Sequence, residues 1–122
     1  MRDSVVLKMT NKSKNFYEYM GKIFGSRIIQ NQTNDRIYDD DNKIWYVALE
    51  DDRAMAFVSV VNDVIKNVYA SKEKCLTKVL TAVKNDIKIK PSTVTNLYVD
   101  IYKNAEYNVE EPDTYKNFVV IS

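Results

Sequence analysis

The stretch Ser71-Lys72-Glu73-Lys74-Cys75-Leu76-Thr77-Lys78 holds the residue types with most to offer a ligand. Three lysines, two hydroxyls and the free N–H groups of a helix start make a chemically fair place for a phosphate or another anion. The same lysines also suit the solvated face of an amphipathic helix, and Glu73 in the first turn favours the helix dipole while repelling phosphate. Cys75 is a nucleophile only with a base beside it, and a chain without histidine favours a structural role for it. Glu50, closing an apolar run ahead of Asp51-Asp52, is the carboxylate best placed to act as a general base. Asp39-Asp40-Asp41 could attract a cationic substrate or a basic partner. They lack the Asp-x-Asp-x-Asp-Gly spacing of a calcium loop, and a solvated turn explains them better.

Nine tyrosines and Trp45 raise the question of base stacking, above all Tyr98 and Tyr102 on one face of an alternating stretch. Asn96 and Asp100 interleave there instead of basic residues, and Asp repels a phosphate backbone. A Tyr-rich face suits a protein interface at least as well, and Tyr98 is also a candidate general acid.

Composition removes several classes of chemistry. Eighteen Lys+Arg against seventeen Asp+Glu leave a net charge of +1, which fits neither a duplex-DNA binder nor an acidic DNA mimic. With no histidine and one cysteine, His-based triads, zinc sites built on His or several Cys, and an intramolecular disulfide are excluded, and no metal site is expected. No apolar run approaches the roughly 18 residues of a membrane span, and Met1-Arg2-Asp3-Ser4 does not open a signal peptide. A soluble cytoplasmic protein is expected. At 122 residues, without a Gly/Ser/Pro-rich linker, residues 1–122 are expected to form one domain.

The elements that must position these groups follow from periodicity. Ser4 to Met9 suits a buried strand. Phe16, Tyr19, Met20, Ile23 and Phe24 mark one face of a helix capped by Ser13 and ended at Gly25. A short second helix has room in the polar stretch 26–42. Lys43 to Glu50 and Arg53 to Val61 form a hairpin turning at Asp51-Asp52, and Asn62-Asp63 turns into a third strand, Val64 to Tyr69. Ser71 caps a helix with Leu76, Val79, Leu80, Val83 and Ile87 inward, stopped by Pro91. Thr93 to Tyr102 alternates as a strand, Asn104 to Tyr115 is polar, and Asn117 to Ile121 reads as a last strand.

The order β-α-(irregular or α)-β-β-β-α-β-(polar segment)-β resembles the GNAT fold of N-acyltransferases over most of the chain. The fold class it implies is α+β, a mixed and mainly antiparallel sheet flanked by helices. In that family a Gln/Arg-x-x-Gly-x-Gly/Ala loop after the fourth strand holds the coenzyme A pyrophosphate. The matching place here is Ser71 to Thr77, with Lys72 for the basic residue, Lys74 beside it, and Cys75 and Thr77 where the family prefers glycine and small residues. Tyr115-Lys116-Asn117-Phe118 resembles the family's Tyr…Gly-Phe approach to the sixth strand, and a seventh strand is expected to be missing. The resemblance implies acetyl-CoA as cofactor, with the pantetheine arm on backbone amides of Val64 to Ala70. It also implies an amine as acceptor, and Glu50 or Tyr98 as the group that moves protons. The alternative is a non-catalytic interaction protein of the same fold, such as phages and mobile elements encode, that binds and modulates a macromolecule. A third alternative, an acyltransferase acting on nucleic acid, has little support from the neutral charge.

Overall fold

Two-residue turns set the register of the central sheet. The computed structural model describes residues 5–24, 26–33, 37, 41–111 and 116–122. In it β2 (Ile44–Glu50) returns through Asp51-Asp52 into β3 (Arg53–Val61), which returns through Asn62-Asp63 into β4 (Val64–Ala70). Glu50 faces Arg53, Val61 faces Val64, and the four turn residues have φ between 51° and 65°. Two successive left-handed residues make the type I′ turn, whose twist matches the strands it joins. Asp and Asn reach that backbone at lower cost than other side chains, so the meander forms without glycine.

β1 (Val5–Met9) adds antiparallel to β2 and completes the sheet β1-β2-β3-β4. It is an edge strand with Val5 58% exposed and only Met9 buried, where the β-branched run had pointed to a buried one. The sheet is covered on both faces, which is why β2 and β3 read as continuous apolar runs. One face packs Trp45, Val47, Leu49 and Phe57 against Phe16, Met20 and Ile23. The other packs Tyr46, Ala48, Ala56, Val58, Val60, Ile65 and Val68 against Leu76, Val79, Leu80 and Val83.

The first helix is shorter than expected. α1 spans Phe16–Met20 behind Asn15 at φ 66°, because the Ser13 hydroxyl accepts from the Thr10 N–H at 2.9 Å and is used in a turn. Gly21 weakens continuation, and the chain goes on with the Ile23 N–H on the Met20 carbonyl at 2.9 Å. The buried face is still the expected one; Gly25 lies outside the described residues. α2 (Arg27–Thr33) fills the place left for a second helix. α3 (Glu73–Asp86) buries Leu76, Val79, Leu80 and Val83 as expected, with Ile87 partly buried just past its end. Its N-cap is Lys72, with no side-chain cap; the Ser71 hydroxyl donates instead to the Met55 carbonyl at 3.2 Å.

The second half departs most from the sequence reading. β5 covers only Ser92–Thr95. The Thr95 hydroxyl then accepts from the Leu97 N–H at 3.3 Å and starts a 3-10 turn, Asn96–Tyr98, that runs into α4 (Val99–Asn104). Tyr98, Ile101, Tyr102 and Ala105 are buried at spacings i, i+3, i+4 and i+7, a helical stripe inside a stretch that also alternates. β6 (Val109–Glu110) and β7 (Phe118–Ile121) complete an antiparallel sheet of order β5-β7-β6. The described residues therefore hold seven strands: the strand expected to be missing is supplied by Val109–Glu110, inside the stretch read only as polar. The fold is α+β, two antiparallel sheets flanked by helices.

Candidate functional site

β4 and β5 run side by side in the same direction, as the contacts Asp63–Lys90, Ile65–Ser92 and Ala70–Tyr98 at nearly constant offset require. No ladder joins them. At one end the Lys90 N–H meets the Asp63 carbonyl at 2.8 Å and the Ile65 N–H meets the Ser92 hydroxyl at 2.9 Å. At the other end the strands are held by one side chain: the Tyr98 hydroxyl accepts from the Ala70 N–H at 3.1 Å and donates to the Ala70 carbonyl at 3.3 Å. The break between the sheets is thus a fork with Tyr98 at its mouth. A cavity of about 390 Å³ there is lined by Gln32, Ala70, Ser71, Glu73, Leu97 and Tyr98. A second, of about 180 Å³, shares Glu73, Leu97 and Tyr98 and continues along Asn96, Val99, Asp100 and Ile101.

Tyr98 is buried, at 5% exposure, and so is Tyr102, whose hydroxyl donates to the Thr95 carbonyl at 2.8 Å. The exposed Tyr98/Tyr102 face expected for stacking or a partner does not exist, because the stretch is helical and turns that face inward. Burial pushes the Tyr98 phenol above its ordinary value, partly offset by the Ala70 bond and reinforced by the charges of Tyr69 and Glu73. Such a phenol stays protonated at neutral pH and can donate a proton but not take one.

Glu50 and Lys72, read separately as base and phosphate cation, are brought together. The Lys72 ammonium lies 3.0 and 2.8 Å from the two Glu50 carboxylate oxygens. The contact follows from the sheet: facing pairs Ala48–Ala56 and Leu49–Ala54 leave Met55 unopposed, and its carbonyl takes the Ser71 and Lys72 N–H groups at 2.9 and 3.3 Å. That bulge draws the start of α3 over the tip of the β2–β3 hairpin. The Glu50 bond raises the Lys72 pKa above the ordinary lysine value.

The rest of the expected anion site is divided by the helix. Cys75 is 2% exposed and packs in the core with Leu76 and Val79, so it faces the sheet and not a ligand. Thr77 is half-buried and Lys74 and Lys78 are exposed. Of the acidic run, Asp41 accepts from the Asn11 amide at 2.6 Å; Asp39 and Asp40 lie outside the described residues. Among the described residues no group of three or more His, Cys, Asp or Glu side chains converges on a metal position. No helix is long and apolar enough to cross a membrane among them.

A second charged cluster escaped the sequence reading because its members come from three elements. The Asp86 carboxylate at the end of α3 takes Lys8 Nζ at 2.8 Å and the Tyr46 hydroxyl at 2.5 Å. Those bonds, Lys8 first, hold the Asp86 carboxyl below its usual range. Burial and then the Asp86 bond raise the Tyr46 phenol. No local spacing signals this cluster. Comparison with protein-family models, with curated proteins and with solved structures finds no match to the chain.

Proposed function

We propose that the chain is a divergent GNAT-like N-acyltransferase of the cytoplasm, which lays acyl-CoA along β4 and receives an amine in the cavities beside Tyr98. The observation that carries this reading is the fork: parallel, unpaired β4 and β5 with a cavity at their open end. The element order β-α-α-β-β-β-α-β of the resemblance, present from β1 to β5 among the described residues, supports it. So does the approach to the sixth strand. The Tyr…Gly-Phe pattern, looked for at Tyr115 to Phe118, finds a better counterpart at Tyr102 to Tyr107, where Glu106 takes the glycine place at φ 66° ahead of Val109–Glu110. Tyr115 lies outside the described residues.

In this reading no covalent intermediate forms. The neutral amine nitrogen attacks the thioester carbonyl, the carbon–sulfur bond breaks, Tyr98, kept protonated by burial, supplies a proton to the departing thiolate, and the proton lost by the nitrogen as the amide forms passes through solvent to restore the Tyr98 phenol. Holding both reactants at the fork supplies the orientation. Glu50 is bound by Lys72 and acts as a base only when that pair opens. Release of free thiol from acetyl-CoA, dependent on added amine and lost in Tyr98→Phe, tests the proposal.

One observation favours a second reading, a non-catalytic interaction protein of the phage-effector kind. The candidate base and the candidate phosphate cation neutralise each other. Absence of acetyl-CoA binding, with no thiol release on any amine, would select it.

A further inference from the structure

We propose that the groove at the C-terminal end of α3 takes an extended peptide of a partner chain, with apolar and acidic residues alternating, which adds as a strand along Ile87, Lys88 and Ile89. The groove shares no lining residue with the cavities at the fork, so the proposal stands whether or not the fork binds an acyl-CoA.

The groove holds about 520 Å³, and one of its walls is a strand without a neighbour. Ile87 leaves α3 with extended backbone at φ −138°, ψ 158°, and Pro91 holds Lys90 extended as well. Between them exposure alternates as in a strand, with Ile87 and Ile89 half-buried and Lys88 and Lys90 exposed. The Lys90 N–H turns to the Asp63 carbonyl, on the β4 side, at 2.8 Å. Successive residues of an extended chain aim their backbone groups to opposite sides, so the Ile89 N–H and carbonyl aim away from β4. On that side β5 pairs with β7, but the ladder stops at Ser92 and Ile121. Among the described residues no backbone group of Lys88 or Ile89 is hydrogen-bonded. Unpaired strand donors and acceptors are a template on which another strand pairs.

The remaining surfaces of the groove set the side chains that such a strand must carry. Ile87, Ile89 and the Tyr107 ring, whose hydroxyl is fixed to the Leu80 carbonyl at 2.6 Å, make an apolar floor. Lys84 and Lys88 stand at the rim. Lys84 donates to a backbone carbonyl, that of Glu106, and neither lysine forms an ion pair with a described residue. The carboxylate in the lining, Asp86, is neutralised by Lys8 at 2.8 Å. The charge left over is therefore positive. A strand presents alternate residues to opposite faces, so apolar side chains at every second position meet the floor while acidic ones between them meet the lysines. A small anion would satisfy the lysines but leave the Ile89 backbone groups and the apolar floor uncovered.

The test is a ¹⁵N-shift titration of the whole chain with three capped pentapeptides: Val-Glu-Val-Glu-Val, Val-Lys-Val-Lys-Val, and Val-Glu-Pro-Glu-Val, whose proline removes a strand donor. Three residues of strand span about 10 Å, which a pentapeptide covers. The first peptide is expected to shift Lys88, Ile89 and Asn108 saturably and to slow hydrogen exchange of the Ile89 amide about threefold or more. It should bind about threefold or more tighter than the lysine peptide, with the margin shrinking in high salt, and tighter than the proline peptide at any salt. Lys88→Glu, at an exposed side chain, should weaken the glutamate peptide about two- to fivefold and strengthen the lysine peptide, a reversal that loss of structure would not produce. No shift at Lys88 and Ile89 with millimolar glutamate peptide, equal binding of the lysine or proline peptide, unchanged Ile89 exchange at saturation, or indifference to Lys88→Glu would each overturn the proposal. So would hexanoate giving the same shifts, which would make the groove an anion site. Ile89 shifts that depend on protein concentration without peptide would overturn it too, by assigning the groove to a second copy of the chain.

Discussion

Lys72 and Glu50, twenty-two residues apart, form a two-point ion pair at 2.8 and 3.0 Å that ties the start of α3 to the tip of the β2–β3 hairpin. The cation nearest the helix start is therefore already used. Glu50→Gln should release Lys72 and strengthen binding of acetyl-CoA or inorganic pyrophosphate severalfold at low salt, with the gain shrinking as salt rises. Lys72→Glu should weaken it. Titration of both variants at two ionic strengths checks this; a Glu50→Gln variant that binds more weakly would place the phosphates elsewhere.

The buried face of α3 sets a stability expectation. Leu80 is fully buried against the sheet, and Leu80→Ala should cost about 2–5 kcal/mol. The control is Lys78→Ala, on the exposed face. Lys84 does not serve, since its Nζ donates to the Glu106 carbonyl and lies 5.6 Å from the centre of the Tyr107 ring. Denaturant midpoints decide, and equal effects of the two substitutions would remove α3 from the core.

Glu106 holds φ 66° without the short polar side chain that makes this backbone tolerable in Asp and Asn. Glu106→Gly should stabilise by about 1 kcal/mol, more than Asp63→Gly in its type I′ turn. Thermal unfolding of the two variants measures the order. A destabilised Glu106→Gly would mean that its side chain has a role the backbone does not show.

Alkaline pH should weaken the fold. Burial raises the phenols of Tyr46, Tyr98 and Tyr107 above the ordinary value, so the folded chain holds these protons more tightly than the unfolded one. Their contribution is complete below about pH 10, where the unfolded phenols ionise, and is lost as pH rises through the higher folded values. Absorbance at 295 nm should show late-titrating tyrosines that ionise together with unfolding. Nine tyrosines titrating together near pH 10 in the folded chain would contradict this.

The meander and α3 were legible because short-range rules decide them. Asp51-Asp52 and Asn62-Asp63 suit left-handed turns, and Leu76, Val79, Leu80 and Val83 keep helical spacing over two turns. Thr93 to Tyr102 misled because Thr95, Leu97, Val99 and Ile101 alternate while Tyr98, Ile101, Tyr102 and Ala105 repeat with a helical period. The Thr95 hydroxyl settles the matter locally, by capping the Leu97 N–H. The two-residue strand Val109–Glu110 is stabilised only by its partner β7, so no local signal marks it. Ser71, Lys72 and Tyr98 were singled out by residue type, but the Glu50 ion pair depends on the Met55 bulge and the contact between Tyr98 and Ala70 spans twenty-eight residues. Cys75 is turned inward by its own helix, in keeping with the structural role its residue type favoured and away from the phosphate turn where the resemblance put it.

Calorimetric titration with acetyl-CoA, paired with free coenzyme A, tests the central claim that the β4–β5 fork binds an acyl-CoA. The account predicts saturable heat with both ligands and a change in affinity for Tyr98→Phe, which frees the Ala70 N–H and carbonyl at the mouth of the fork. No heat at millimolar acetyl-CoA, or binding that Tyr98→Phe leaves untouched, would contradict it.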